Sequence, residues 1–121
     1  MKKILVVDDR IGVLKIIGRF LCGKNFDVYL SDSPGKALRL CHEKRFDLVI
    51  SDFDLNEGTG IELIYKIRKS QPKIKTILMS GNFSFDEEMI KTERIDAFLR
   101  KPFDGEELRE VIRKILNVEK F

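Results

Sequence analysis

The sequence contains no tryptophan, one histidine and only two cysteines among its 121 residues. Cys22 and Cys41 lack the CxxC spacing of a metal site, and His42 is the sole histidine, so these residues make a poor tetrahedral zinc site. We expect both cysteines to be buried free thiols in a reducing compartment rather than a disulfide. His42 is expected to be an ordinary surface or boundary residue.

Long apolar runs and a strong charge of one sign are also missing. The apolar runs are too short to span a membrane, and the run after the basic residues Lys2 and Lys3 ends at Asp8, too early for a signal peptide. The 23 basic and 20 acidic residues are scattered along the chain and give a net charge of only +3, which does not indicate nucleic-acid binding. We expect a cytoplasmic protein with neither a membrane nor a direct nucleic-acid partner.

No repeat, low-complexity tract or linker divides the chain, and its length fits one domain. With 43% hydrophobic residues, the chain can build a core, so disorder is not expected. We therefore predict a single domain over residues 1–121 with no output domain.

Short β-rich apolar segments alternate with helical patterns along the chain. Strands are predicted at Ile4–Val7, Phe26–Leu30, Asp47–Ser51, Thr76–Ser80 and Ile95–Leu99. Helices are predicted from Ile11 to Cys22, from Ser33-Pro34 onward, around Ile61–Ile67, from a Ser84/Glu87 capping box to about Thr92, and after Asp104. Ile11 and Tyr65 are expected on the buried faces of their helices. The alternation predicts a doubly wound α/β fold with a five-stranded parallel sheet and five helices.

Polar side chains follow four of the predicted strands at the point where each strand ends. Asp8 and Asp9 follow the first strand, Asp52 the third, Ser80 the fourth and Lys101 the fifth. Because the carboxyl ends of parallel strands meet at one edge of the sheet, these groups are expected to lie together. Each one alone is more often a loop, turn or surface residue, but four such coincidences favour a site.

Three carboxylates gathered at one edge repel one another, and a hard divalent cation removes that conflict. Mg²⁺ suits best, because it binds one or two carboxylates together with water and phosphate oxygens. With the Lys101 ammonium and the Ser80 hydroxyl beside it, Asp52 is placed to accept a phosphoryl group.

These motifs, VVDD, SD, MSG and KP after successive strands, resemble those of response-regulator receiver domains from bacterial two-component signalling. The resemblance extends from Lys3 to about Leu116. It implies a flavodoxin-like fold with strand order 2-1-3-4-5. It also implies Mg²⁺-dependent transfer of phosphate from a sensor histidine kinase, or a histidine phosphotransfer protein, to Asp52.

The resemblance further implies the roles of individual residues. Asp8, Asp9, Asp52 and the backbone carbonyl of Asp54 would hold Mg²⁺, with Mn²⁺ as a substitute. Lys101 would pair with a phosphoryl oxygen, and the Lys101-Pro102 peptide would be cis.

Ser80 and Phe98 would form a switch that remodels the surface of helix 4, strand 5 and helix 5. That surface would control an unknown downstream protein, support a weak dimer of an otherwise monomeric protein, or serve a phosphorelay. The kinase would dock near helix 1, with Ile11 or Val13 as contacts. The protein would not be an enzyme beyond self-catalysed phosphorylation and autodephosphorylation.

The chain departs from the family pattern in the loop after Asp52. Gly60 is retained, but Leu55 replaces methionine and Asn56 replaces proline, which predicts a looser loop. Phe98 lacks the hydroxyl of the usual tyrosine, so a switch would rest on packing. Asp54 and Asn82 occupy the positions that influence phosphoryl lifetime, although an ordinary surface-loop role for them remains an equal alternative.

Three rival functions remain open from the sequence. A haloacid-dehalogenase-type phosphatase would use Asp52 as nucleophile and Asp54 as acid/base, but the Gly-Thr that usually follows is Leu55-Asn56 here. A receiver fold that no longer takes phosphate is a second alternative. A flavodoxin-type cofactor binder is a third, although Asp8 and Asp9 would repel a phosphate at the first loop.

Overall fold

The computed structural model describes residues 1–81 and 87–118, with the backbone alone for residues 87, 89 and 90. The strands are β1 (Lys2–Val7), β2 (Phe26–Ser31), β3 (Leu48–Asp52), β4 (Asp54–Leu55), β5 (Gly58–Thr59), β6 (Lys75–Ser80) and β7 (Ala97–Arg100). The helices are α1 (Ile11–Leu21), α2 (Pro34–Glu43), α3 (Gly60–Ser70), α4 (Glu87–Thr92) and α5 (Gly105–Leu116).

Five of the strands form one parallel sheet in the order β2-β1-β3-β6-β7. The sequence missed the two-residue strands β4 and β5, which form a separate antiparallel hairpin directly after β3. The predicted strand order 2-1-3-4-5 is the observed order, because the predicted fourth and fifth strands are β6 and β7 once the two hairpin strands are counted. The topological switch point therefore lies between β1 and β3, where the chain order reverses.

The prediction of five helices holds only in part. Four helices, α1, α2, α3 and α5, have 10 to 12 residues, whereas α4 has 6. The predicted capping box of Ser84 with Glu87 lies outside the described residues.

The sheet is covered on both faces, because the apolar positions of its central strand β1 alternate between two core clusters. Leu5 and Val7 of β1 belong to one core cluster, and Ile4 and Val6 belong to the other. All four of these side chains have 0% exposure. This continuous apolar run is what parallel strands between two helical layers require.

Side chains cap several helices where the sequence predicts their starts. The Ser33 hydroxyl accepts a hydrogen bond from the Lys36 N–H at 3.3 Å, and Pro34 is the first residue of α2. The Asp104 carboxylate accepts from the Glu107 N–H at 2.8 Å. A capping box that we did not predict, Thr59 with Glu62, starts α3.

Some predicted buried residues are exposed. Ile11 is 57% exposed and Tyr65 is 65% exposed, so neither faces the core. Leu14, Ile17 and Leu21 form the buried stripe of α1 instead.

The two cysteines differ in their surroundings. Cys22 is exposed, which contradicts the expectation of two buried thiols, whereas Cys41 is buried, and both are free. Burial raises the pKa of the Cys41 thiol to about 11. The Cys41 side chain is therefore a neutral part of the core at neutral pH.

The structure also tests the expectation of no membrane span. Within the described part of the chain, every helix is too short or too polar to cross a bilayer.

Candidate functional site

Asp52 is the last residue of β3 and lies at the carboxyl edge of the sheet with only 2% of its surface exposed. Its neighbours fix the backbone on both sides. The Phe53 N–H donates to the Met79 carbonyl of β6 at 2.8 Å, and the Gly60 N–H donates to the Phe53 carbonyl at 2.7 Å. The Ser51 hydroxyl donates to the Asp52 carbonyl at 2.9 Å. These hydrogen bonds fix the backbone that carries the Asp52 carboxylate.

Gly60 allows α3 to begin directly against this strand end. A Cβ at position 60 would lie 2.4 Å from the Asp52 carbonyl oxygen, and 2.9 Å from both Leu78 Cδ2 and Ser51 Oγ. No side chain fits at these distances without moving the backbone that carries Asp52. The structure thus gives a steric reason for glycine at this position.

Three carboxylates converge at the switch point, as the strand ends predict. Asp8, Asp9 and Asp52 each offer an oxygen, and these oxygens lie within 4.8 Å of one another. Asp8 has 0% exposure, whereas Asp9 is half-buried. The Arg10 N–H donates to Asp8 Oδ1 at 2.9 Å, which orients the buried Asp8 side chain.

The Lys101 ammonium lies between two of these carboxylates. Its Nζ is 2.9 Å from Asp8 Oδ2 and 3.2 Å from Asp52 Oδ1. Lys101 follows β7, and its N–H donates to the Ser80 carbonyl at 2.9 Å, so β6 positions it. The Lys101–Pro102 peptide bond is cis.

One oxygen of this cluster, Asp52 Oδ2, is buried and accepts no hydrogen bond from the part of the chain that the structure describes. Burial raises the pKa of the Asp52 carboxyl above its ordinary value, opposed by Lys101 and reinforced by the negative charge of Asp8. The site therefore holds more negative charge than its single lysine neutralises.

This imbalance fits a hard divalent cation. Carboxylate oxygens are the ligands that Mg²⁺ prefers, and the unpartnered Asp52 Oδ2 is an available one. Asp8, Asp9 and Asp52 are the residues that could hold such an ion.

The remaining predicted residues lie around this cluster at different depths. Ser80 ends β6 beside it with 1% exposure, and Phe98 of β7 is partly buried against the core. The Asp54 side chain is exposed and does not join the carboxylate cluster. Asn82 lies outside the described residues.

An apolar groove lies next to the site, between α1 and the segment after β7. It has a volume of about 200 Å³ and its lining combines apolar side chains with Lys101: Val13, Ile16, Ile17, Phe20, Lys101, Pro102 and Phe103. Ile16 is 50% exposed at its rim. Sequence periodicity gave no signal for this groove, because its two walls are distant in the chain.

The family model of the response regulator receiver domain matches residues 4–113. The chain belongs to this family. It is a receiver domain of the kind found in two-component systems, and its α/β sheet architecture is the flavodoxin-like receiver fold.

Similar proteins and structures agree with this assignment. The transcriptional regulatory protein GlrR of Escherichia coli is 33% identical over 110 residues, which cover 90% of this chain and 25% of GlrR. The chain thus spans about a quarter of the length of this curated relative.

Two solved structures cover nearly the whole chain. A CheY-like receiver domain protein from Methanospirillum hungatei has 28% identity and a TM-score of 0.89, covering 97% of this chain and 94% of its own. The response regulator TrrA of Thermotoga maritima, in complex with Mg²⁺-BeF, has 27% identity and a TM-score of 0.84, covering 95% and 99%.

Proposed function

We propose that this receiver domain takes a phosphoryl group onto Asp52 from a phosphohistidine of a sensor kinase or a phosphotransfer protein. The observation that carries the proposal is the buried, unpartnered Asp52 Oδ2 beside an Asp52 Oδ1 that Lys101 holds at 3.2 Å. One oxygen is thereby fixed while the other stays available. This is the arrangement that a carboxylate nucleophile needs.

The transfer balances without an oxidant or reductant. A bond forms between an Asp52 oxygen and phosphorus as the phosphorus–nitrogen bond to the donor imidazole breaks. The imidazole keeps the electron pair and leaves as neutral imidazole, with its proton carried on the ring or taken up from water. Lys101, already in contact with Asp52, would pair with a phosphoryl oxygen, and the Ser80 hydroxyl at the end of β6 would donate to another. These contacts stabilise charge where it develops.

Asp8, Asp9 and Asp52 would hold Mg²⁺, or Mn²⁺ in its place, with the Asp54 carbonyl as a further ligand. When bound, the cation supplies positive charge that neutralises the transferring phosphoryl oxygens. The three clustered carboxylates support this ligand set, as does the Mg²⁺-BeF complex of the similar Thermotoga protein.

Phosphorylation would be read out on the surface of α4, β7 and α5. Ser80 and Phe98 lie on neighbouring strands, since Ser80 pairs with Arg100 and Leu78 pairs with Phe98. A shift of Ser80 toward the phosphoryl group would free space into which Phe98 rotates. The altered surface would bind and control a downstream protein or support a weak dimer with a second copy. Alternatively, the domain would pass the phosphoryl group to the next protein of a phosphorelay.

The phosphohistidine donor would dock over the groove between α1 and the segment after β7. The groove is lined by Ile16, Phe20 and Lys101 and lies directly beside the acceptor. The exposed Ile11 and the partly buried Val13 would extend this apolar contact along α1.

The phosphatase alternative that uses Asp52 and Asp54 is not favoured. The exposed Asp54 side chain is outside the carboxylate cluster, whereas Asp8 and Lys101 occupy the positions around Asp52. Asp54 and Asn82 are instead proposed to tune the lifetime of the phosphoryl group.

Incubation with phosphoramidate tests the proposed function, because its phosphorus–nitrogen bond resembles that of phosphohistidine. With Mg²⁺, the wild-type protein should gain the mass of one phosphoryl group, while Asp52→Asn and an EDTA-treated sample should not. Equal phosphorylation of Asp52→Asn would overturn the proposal. Repeated turnover of a phosphomonoester by the wild type would favour the phosphatase instead.

A further inference from the structure

The edge of the sheet opposite Asp52 carries a basic surface. It surrounds the amino ends of β1 and β6 and contains two adjoining depressions of about 400 and 470 Å³, which share Lys73, Ile74 and Lys75. Seven cationic side chains line them, and one of these, Arg68, donates hydrogen bonds to the Glu93 and Arg94 carbonyls. The other six are Lys2, Lys3, Arg45, Lys73, Lys75 and Arg94. We call these six residues with the two depressions the basic edge.

Most of the charge on the basic edge is uncompensated. All of its residues except Lys3, whose Nζ is 3.7 Å from the Asp27 carboxylate, are exposed and form no salt bridge within the described residues. The depressions contain only two carboxylates among their described lining residues, Asp47 and Asp96. The whole chain has 23 basic and 20 acidic residues, so this edge is far more basic than the chain average.

Both carboxylates are already engaged by the backbone. The Lys3 N–H donates to Asp47 at 2.7 Å, and the Thr76 N–H donates to Asp96 at 2.8 Å. These hydrogen bonds hold the acids against the starts of β1 and β6. Lys2, Lys73 and Lys75, which form no salt bridge within the described residues, therefore remain available to pair with charges from outside.

The floor of the depression of about 400 Å³ is apolar. Phe46 and Ile74 lie 6% and 5% exposed at its base, and Ile115 and Leu116 of α5 border it, partly buried. Phe46 is the single aromatic side chain among the described lining residues and is too deeply buried to stack on a base. A basic rim around an apolar floor suits acidic residues interspersed with apolar ones better than it suits a nucleic acid.

We propose that the basic edge is a docking surface for an acidic polypeptide segment that alternates carboxylates with apolar side chains. Its carboxylates pair with Lys73, Lys75 and Arg45, and its apolar side chains rest against the partly buried Ile115 and Leu116. The six residues of β6 separate this surface from the carboxyl edge by about 20 Å. Binding here leaves the Asp52 site open, and the proposal does not rest on phosphorylation.

Fluorescence anisotropy with a labelled peptide of alternating glutamate and leucine tests this surface. The matched control peptide carries glutamine in place of each glutamate. The variant Lys73→Glu/Lys75→Glu reverses two charges on the basic edge. Lys15→Glu/Arg39→Glu changes the net charge equally at exposed positions of α1 and α2.

We expect the wild-type protein to bind the acidic peptide with an affinity that falls as the NaCl concentration rises. It should not bind the glutamine peptide. Lys73→Glu/Lys75→Glu should weaken binding by about tenfold or more, and Lys15→Glu/Arg39→Glu by less than about twofold. Circular dichroism and the thermal midpoint confirm that both variants fold.

Three results would overturn the proposal. The first is no binding of the acidic peptide to wild type, and the second is an equal loss of binding in both variants. The third is that another partner occupies the basic edge. This would be shown by a duplex oligonucleotide that binds more tightly than the acidic peptide. It would also be shown by self-association that Lys73→Glu/Lys75→Glu abolishes, in the absence of peptide binding.

Discussion

Replacing Gly60 with alanine should disturb the strand that carries Asp52, the proposed phosphoacceptor. The new Cβ would be 2.4 Å from the Asp52 carbonyl oxygen, whereas ordinary contacts are 3.4–4 Å, so the start of α3 must move away by about 1 Å. Two further contacts at 2.9 Å, with Leu78 and Ser51, block a simple sideways shift. Overpacking of this kind costs about 1–3 kcal/mol of unfolding free energy.

Gly18→Ala is the matched control, because Gly18 lies within α1 and its added Cβ would meet Leu30 Cδ1 at an ordinary 3.5 Å. That substitution should stabilise the protein by about 0.5–1 kcal/mol, as alanine favours helix over glycine. Urea titration followed by circular dichroism gives both free energies.

The two variants should therefore change stability in opposite directions, and Gly60→Ala should also slow phosphorylation by phosphoramidate. If Gly60→Ala matched the stability of wild type, the close approach of α3 to Asp52 would be wrong. If Gly60→Ala lost stability but was phosphorylated at the wild-type rate, Gly60 would be needed for the fold and not for the position of Asp52.

Four other perturbations follow from the charges of the site. Asp52→Asn should raise stability at pH 7 by about 1–3 kcal/mol in metal-free buffer, because it removes a buried negative charge whose Oδ2 accepts no hydrogen bond within the described residues. Because the pKa of Asp52 is raised in the folded state, the stability that protonated Asp52 contributes is fully present below pH 3.8 and is lost as pH rises through the folded pKa. The stability advantage of Asp52→Asn over wild type should therefore vanish in acid. A difference in unfolding free energy that stays constant across pH would refute this. Lys101→Met should cost up to about 3 kcal/mol at pH 7 by leaving Asp8 and Asp52 facing each other, and urea titrations should show recovery on adding Mg²⁺. Mg²⁺ at one hundred times its dissociation constant should stabilise wild type by about 2.7 kcal/mol in thermal melts, and Asp9→Asn should lose most of this gain; an equal gain would exclude Asp9 as a ligand. Asp54→Ala should change the rate of phosphoryl loss, and an unchanged rate would leave Asp54 as an ordinary loop residue.

Much of the site was predictable because parallel strands place their carboxyl ends together. Asp8, Asp52 and Lys101 are separated widely in sequence, yet each follows an apolar strand, and that pattern alone predicted their meeting. The apolar runs of β1 and β3 likewise predicted a sheet covered on both faces.

Other features depend on tertiary packing that the sequence pattern does not encode. Tyr65 fits the helical spacing of α3, but the buried stripe passes through Leu63, Ile64 and Ile67, which leaves Tyr65 in solvent beneath the Lys69 ammonium. The β4–β5 hairpin has only 2 residues in each strand, too few for a period-two pattern to register.

The charge separation across the sheet was also hidden in the sequence. Basic residues at the starts of β1 and β6 are scattered along the chain and leave its net charge at only +3. Parallel packing gathers them at one edge and the acidic residues of the acceptor site at the other. Net charge therefore underestimated the electrostatic asymmetry of this domain.

Chemical mapping of the phosphorylated residue tests the central claim most directly. Borohydride reduction of an aspartyl phosphate yields homoserine, which peptide mass spectrometry locates in the chain. After incubation with phosphoramidate and Mg²⁺, we expect homoserine at Asp52 alone. Homoserine at Asp8, Asp9 or Asp54 with Asp52 intact, or no homoserine at any position, would contradict the assignment of Asp52 as the phosphoacceptor.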